Sequence, residues 1–136
     1  MEDICRYEIA EFDAAYDSER MIAHVFLPKD TGPPYQVVIF FPGGGCDDEP
    51  AFPGKAWYAS VFPELLASGR ALVWPVYFGT FERGGGIPPD GSRGLADQRI
   101  CQMQDMCRTI DYLAERPDID LSRLGYLGES YGGLSG

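Results

Sequence analysis

Five residues near the C-terminal end, Gly128-Glu129-Ser130-Tyr131-Gly132, set a hydroxyl between two glycines, and Gly133 follows at once. A serine hydroxyl attacks a carbonyl carbon when a base removes its proton and a third group orients that base. The spacing suits that chemistry. The run Leu124-Gly125-Tyr126-Leu127 reads as a buried strand, Ser130 as the tip of a very sharp turn, and the following residues as the start of a helix. Glycine is needed at 128 and 132 because strand and helix pass too close there to admit a Cβ. With 17 glycines in 136 residues, such a pentapeptide arises by chance in about one chain in ten. The argument therefore rests on the strand, turn and helix around it.

A second glycine cluster, Pro42-Gly43-Gly44-Gly45, follows the apolar run Val37-Val38-Ile39-Phe40-Phe41. A bare backbone at the end of a buried strand can bring an N–H to an oxygen that gains negative charge during reaction. The other reactive side chains carry less. His24 is the sole histidine and falls on an early strand, where a half-exposed structural role is expected. Glu129, beside the serine, reads as an orienting or surface residue. Asp118 and Asp120 sit in a connector, and Asp120 is placed to cap the turn at Leu121-Ser122-Arg123. Cys5, Cys46, Cys101 and Cys107 form no Cys-x-x-Cys pair and have no histidine at zinc spacing. No metal constellation is visible, and a reduced, cytoplasmic setting is the default.

Upstream of the serine, residues 111–125 run as a helix end, the connector Arg116-Pro117-Asp118-Ile119-Asp120, and a strand. Together with the pentapeptide this resembles the approach to the nucleophile in α/β-hydrolases, and is most similar to the prolyl-oligopeptidase-like, dienelactone-hydrolase-like and acetyl-esterase-like branches. The resemblance implies a serine hydrolase that forms an acyl-enzyme on Ser130 and needs no cofactor. It implies an oxyanion hole from the backbone N–H of Tyr131 and from the glycine loop, at Gly44 or Gly45. Proline stands at 42 where that loop often begins with histidine. The family's chain order is serine, then Asp or Glu, then His, so these partners are expected beyond Gly136. Residues 1–136 then read as a partial α/β-hydrolase domain ending just after the nucleophile elbow. Residues 25–29, 34–38 and 75–83 also look like the hydrolase modules attached to some bacterial Ser/Thr protein kinases.

The elements that must hold these residues follow in order. Residues 4–13 and 20–27 alternate enough for an antiparallel strand pair joined through residues 14–19. Residues 28–34 are turn-rich, and 37–41 suit a strand buried on both faces. Residues 55–68 have a helical rhythm that includes Trp57 and Tyr58, with Pro63 as a kink or break and Gly69 as C-cap. Residues 71–77 read as another buried strand. Between 78 and 94 the composition turns to Gly, Pro and charge, a long loop of the kind that is mobile or functional; Gly84-Gly85-Gly86 lacks the following helix of a phosphate loop. Residues 95–115 form the longest helix, with Ile100, Met103, Met106, Cys107, Ile110 and Leu113 on its apolar face. The expected fold is α/β: the N-terminal half of a mostly parallel sheet with helices on both faces, preceded by the antiparallel pair.

A net charge of −10 argues against nucleic acid and against an anionic membrane surface. No signal peptide or membrane-spanning run is visible. The expected partner is a small ester or peptide substrate, and the residues do not choose between peptidase and esterase. A non-catalytic hydrolase-like binding module stays open as the alternative. Since 124–127 should be central in a complete sheet, the isolated chain is expected to associate or stay partly unfolded, and to be inactive.

Overall fold

The computed structural model describes residues 3–43, 61–84 and 92–135. Five strands form one sheet in the order β1-β2-β4-β3-β5, comprising β1 (Cys5–Asp13), β2 (Arg20–Pro28), β3 (Tyr35–Phe41), β4 (Ala71–Pro75) and β5 (Ile119–Gly128). β1 pairs antiparallel with β2, and β2 antiparallel with β4. β4–β3 and β3–β5 are parallel. The sheet is therefore mixed, with the parallel part on the side that leads to Ser130. The N-terminal antiparallel pair falls where alternation placed it. Among the described residues β5 pairs with β3 alone, and on one of its faces Leu124 and Tyr126 are exposed.

Alternation along the strands sends side chains to two cores. On one face Phe26, Val38, Phe40, Leu72 and Trp74 pack under α1 (Phe62–Ala67) through Phe62 and Leu66. Trp74 sits among Phe40, Phe62 and Phe81, with each ring pair edge-to-face. On the other face Val25, Val37, Ile39, Phe41 and Val73 meet Met106 and Leu113 of α2 (Ser92–Ala114). Helices thus cover both faces. Each fully buried Phe, Leu or Val contributes about 1.5–3 kcal/mol by leaving water, so the double-faced strands β3 and β4 anchor the fold.

Local chemistry sets the ends. Pro63 falls in the first turn of α1, where a missing N–H costs no helical bond. The expected helix over 55–68 is observed only from Phe62, and its earlier part, with Trp57 and Tyr58, lies outside the described residues. Gly69, at φ +81°, reverses the chain into β4 as a left-handed cap. The apolar face expected on α2 is rotated in the structure. Met106 and Leu113 are buried as expected, but Ile100, Met103 and Cys107 are exposed. The buried stripe instead includes Gln102, Asp105 and Thr109. Among the described residues, no helix is long and apolar enough to cross a membrane.

Candidate active site

The site forms where the parallel strands β3 and β5 end together. Phe41 pairs with Gly128 in the sheet register, and the next N–H, that of Glu129, donates to the Phe41 carbonyl at 3.0 Å. The chain then folds back at once. The Gly132 N–H donates to the Glu129 carbonyl at 2.8 Å, and a short 3-10 turn spans Gly132–Leu134. This closure brings strand and turn so close that a Cβ on Gly128 would lie 2.5 Å from the Gly132 carbonyl oxygen. A Cβ on Gly132 would strike the Phe41 and Pro42 carbonyls. The turn therefore leaves no room for a Cβ at Gly128 or Gly132 without a shift of backbone.

Ser130 is the tip. It is exposed and has φ +48°, in the left-handed region that L residues with a Cβ avoid. Tyr131 follows at φ −56° and ψ −41°. Neighbouring residues of opposite φ sign turn successive N–H groups toward a common side, a concavity suited to negative charge. The Gly132 N–H is already used, whereas the Tyr131 N–H has no acceptor among the described residues. The hydroxyl of Tyr126, on β5, donates to the Gly132 carbonyl and holds the turn from below.

Of the glycine loop, Gly43 is described and buried beside the elbow. Gly44 and Gly45, the expected donors of the first oxyanion N–H, lie outside the described residues, as does Cys46. Glu129 is half-buried, and its backbone rather than its carboxylate makes the contact that the structure gives.

His24 is not where a base would stand. β2 is separated from β5 by β4 and β3, and three strand spacings amount to about 14 Å. The expectation of a half-exposed histidine is also corrected, because the ring is 2% exposed. Its Nδ1 lies 2.7 Å from the Tyr7 hydroxyl, and Trp74 packs against it. Burial lowers its pKa, a trend that the nearby Glu82 opposes.

Asp118 and Asp120 are structural, as expected. Arg116 donates to both Asp118 oxygens, Nε at 2.9 Å and the terminal nitrogen at 2.7 Å, and holds that carboxyl below its ordinary range. Asp120 accepts the Ser122 N–H at 3.1 Å, which is the turn-capping role read from the sequence. Among the described residues, no cluster of His, Cys, Asp and Glu could hold a metal ion.

Sequence reasoning missed a buried polar network behind the elbow. Asp105 on α2 is fully buried and accepts from the Tyr16 hydroxyl at 2.8 Å, the Phe78 N–H at 2.7 Å and Arg83 at 2.7 Å. Burial raises its pKa, against the pull of those three donors. Arg83 also donates to the Val76 carbonyl and to Glu19. The segment 76–84 that follows β4 is thereby fixed to α2 and to the β1–β2 turn. One signal was available in the sequence. Gln102, Asp105 and Thr109 share the helical stripe of Met106 and Leu113, at spacings of three and four.

No family model matches the sequence, and no curated protein matches it. Solved structures do. The chain is similar to esterase Est22 at 20% identity and a TM-score of 0.70, over 95% of this chain and 36% of the esterase. It is similar to a 2,6-dihydroxy-pseudo-oxynicotine hydrolase at 22% identity and a TM-score of 0.66, over 93% of this chain and 31% of that one. A dipeptidyl aminopeptidase IV-like protein from Bacteroides ovatus matches at 18% identity and a TM-score of 0.70, over 97% of this chain and 18% of its own. The chain thus spans about a third of the length of the first of these structures. The fold is the α/β-hydrolase fold, of which these residues carry a part.

Proposed function

We propose that this chain supplies the nucleophile and the oxyanion hole of a serine hydrolase that cleaves an ester or peptide bond through an acyl-enzyme on Ser130. The observation that carries the reading is Ser130 itself. An exposed residue with a Cβ is held at φ +48°, between two glycines at which a Cβ would strike backbone, at the C-terminal end of a parallel strand. Strain of this kind persists where the surrounding structure enforces it, and it collects at reacting centres.

In the proposed reaction the Ser130 Oγ attacks the substrate carbonyl carbon and gives up its proton to a histidine. The carbonyl oxygen becomes an anion, held by the Tyr131 N–H and by a second N–H from Gly44 or Gly45. Each such donor is worth about 3 kcal/mol in the transition state. The histidine then returns the proton to the leaving alcohol or amine, and water hydrolyses the acyl-Ser130 ester by the same steps. Because His24 is buried against Tyr7, the histidine and its orienting carboxylate are assigned to residues outside these 136. No cofactor or metal is required. Esterase and peptidase share this machinery, and the similar structures include an esterase and a dipeptidyl aminopeptidase IV-like protein.

The test is labelling of the protein that carries this chain with a fluorophosphonate, followed by peptide mapping. Modification at Ser130, abolished in Ser130→Ala, is the expected result. A protein that folds but stays unlabelled would overturn the reading and leave a hydrolase-like binding module.

A further inference from the structure

Gln102 lies in the middle of α2 and is 3% exposed. An amide buried there costs free energy unless both of its ends are paired. Both are. Nε2 donates to the Phe78 carbonyl at 3.0 Å, and Oε1 accepts from the Tyr131 hydroxyl at 3.0 Å. The orientation of the amide is settled by its partners, since a backbone carbonyl can only accept. A leucine or methionine would fill this position without needing two partners. The glutamine instead joins, by its two hydrogen bonds, the loop after β4 and the turn that carries Ser130.

The other end of the link is equally fixed. Phe78 is held through its N–H by Asp105, one helical turn along α2 from Gln102. Asp105 is held in turn by Arg83 and Tyr16. The Tyr131 ring also stands edge-to-face on Phe41, with the Arg99 guanidinium 5.8 Å from its centroid. Of these contacts, only the one to Gln102 is a directional hydrogen bond from the Tyr131 side chain.

We propose that Gln102 is a positioning residue for the oxyanion hole, which fixes the Tyr131 side chain against the Phe78 carbonyl and thereby sets the direction of the Tyr131 backbone N–H. The proposal rests on the reading of Ser130 and Tyr131 above. Gln102 bonds to Phe78 and Tyr131 and not to Ser130. It acts through Tyr131, so its loss should weaken the transition state more than the substrate complex. A small error in the aim of an oxyanion donor is felt in kcat, because the charge it meets exists only in the transition state.

The experiment is steady-state hydrolysis of p-nitrophenyl acetate by the protein that carries this chain, with Ser130→Ala, Gln102→Met, Tyr131→Phe and the double variant. Tyr131→Phe removes only the hydroxyl and leaves the backbone N–H, so it stays informative if Gln102→Met fails to fold. The expected result is a fall in kcat of about tenfold in each single variant with KM changed less than about twofold. The double variant should be no slower than the slower single one, because both remove the same link. Wild-type kcat in Tyr131→Phe would overturn the proposal, as would multiplicative losses in the double variant or a lowered melting point with unchanged kcat. If Ser130→Ala hydrolyses the ester as fast as the parent, it is the serine-hydrolase reading that fails, whatever Gln102 does.

Discussion

The carbonyl oxygen of Phe41 accepts the Glu129 N–H at 3.0 Å, and it is also the first atom that a Cβ on Gly132 would strike. One backbone atom at the end of β3 therefore fixes the elbow from two sides. The glycine loop leaves β3 from this same point, so the two proposed sources of oxyanion donors share an anchor.

Gly132→Ala should accordingly be among the most damaging single substitutions available. The added methyl meets the Phe41 and Pro42 carbonyls, which are backbone atoms held in the β3–β5 pairing and cannot swing aside as a side chain can. A loss of about 3 kcal/mol or more in equilibrium denaturation is expected. Gly133→Ala is the control, because a Cβ there would approach no closer than 3.6 Å to its neighbours. It should cost far less. Equal losses at the two positions would mean that the close approach at Gly132 does not govern stability.

Ser130 separates stability from activity. At φ +48° its Cβ is strained, and glycine at this position relieves the strain. Ser130→Gly should be more stable than Ser130→Ala by about 1 kcal/mol, although neither can be labelled by a fluorophosphonate. Thermal denaturation of the pair decides it. If alanine is the more stable of the two, the left-handed conformation is not what the folded protein holds.

The Arg83–Asp105 pair is the most deeply buried charge contact among the described residues, at 2.7 Å with side-chain exposures of 6% and 0%. Removing one partner leaves the other buried and unpaired, which typically costs about 3–5 kcal/mol. Asp105→Ala should fall in that range, and it also releases the Phe78 N–H and the Tyr16 hydroxyl. Arg83→Met combined with Asp105→Leu should cost clearly less than the sum of the two single changes. Urea denaturation of the four proteins gives the coupling. Additive losses would show that the pair does not act as a unit.

Much of this architecture is legible in the residues, and the part that is not has a common cause. The runs at 37–41 and 71–75 are apolar on both faces, which leaves little doubt about strand or burial. The antiparallel pair and the cap at Gly69 follow from local pattern alone. Strand β4 ends at Pro75, two residues short of the apolar run, although the Val76 N–H still donates to the Ile22 carbonyl at 2.8 Å. Gln102 and Asp105 escape the same reading because periodicity assigns polar residues to the wet side of a helix. Their partners Phe78, Arg83, Tyr16 and Tyr131 lie between 22 and 89 residues away, in turns and loops. Only the fold brings them together. His24 fails for a related reason, since its burial depends on Tyr7 and Trp74, which belong to the strands on either side of it.

That burial leads to the expectation that stability declines in mild acid. His24 has its pKa lowered from the ordinary 6.5 by loss of water, with Glu82 acting in the opposite sense. A histidine whose folded pKa is depressed contributes fully above the unfolded value. As the pH falls below 6.5 the unfolded chain binds a proton that the folded one refuses, and stability declines until the folded pKa is reached. The slope in that window can approach about 1.4 kcal/mol per pH unit, the limit for one proton. Urea denaturation at steps from pH 7.5 to 5.5 should show this decline in the parent and lose it in His24→Phe. The variant itself should be somewhat less stable at pH 7.5, because the Tyr7 hydroxyl loses its partner on the ring. Identical pH dependence in the two proteins would mean that His24 takes up its proton as readily in the folded chain as in the unfolded one.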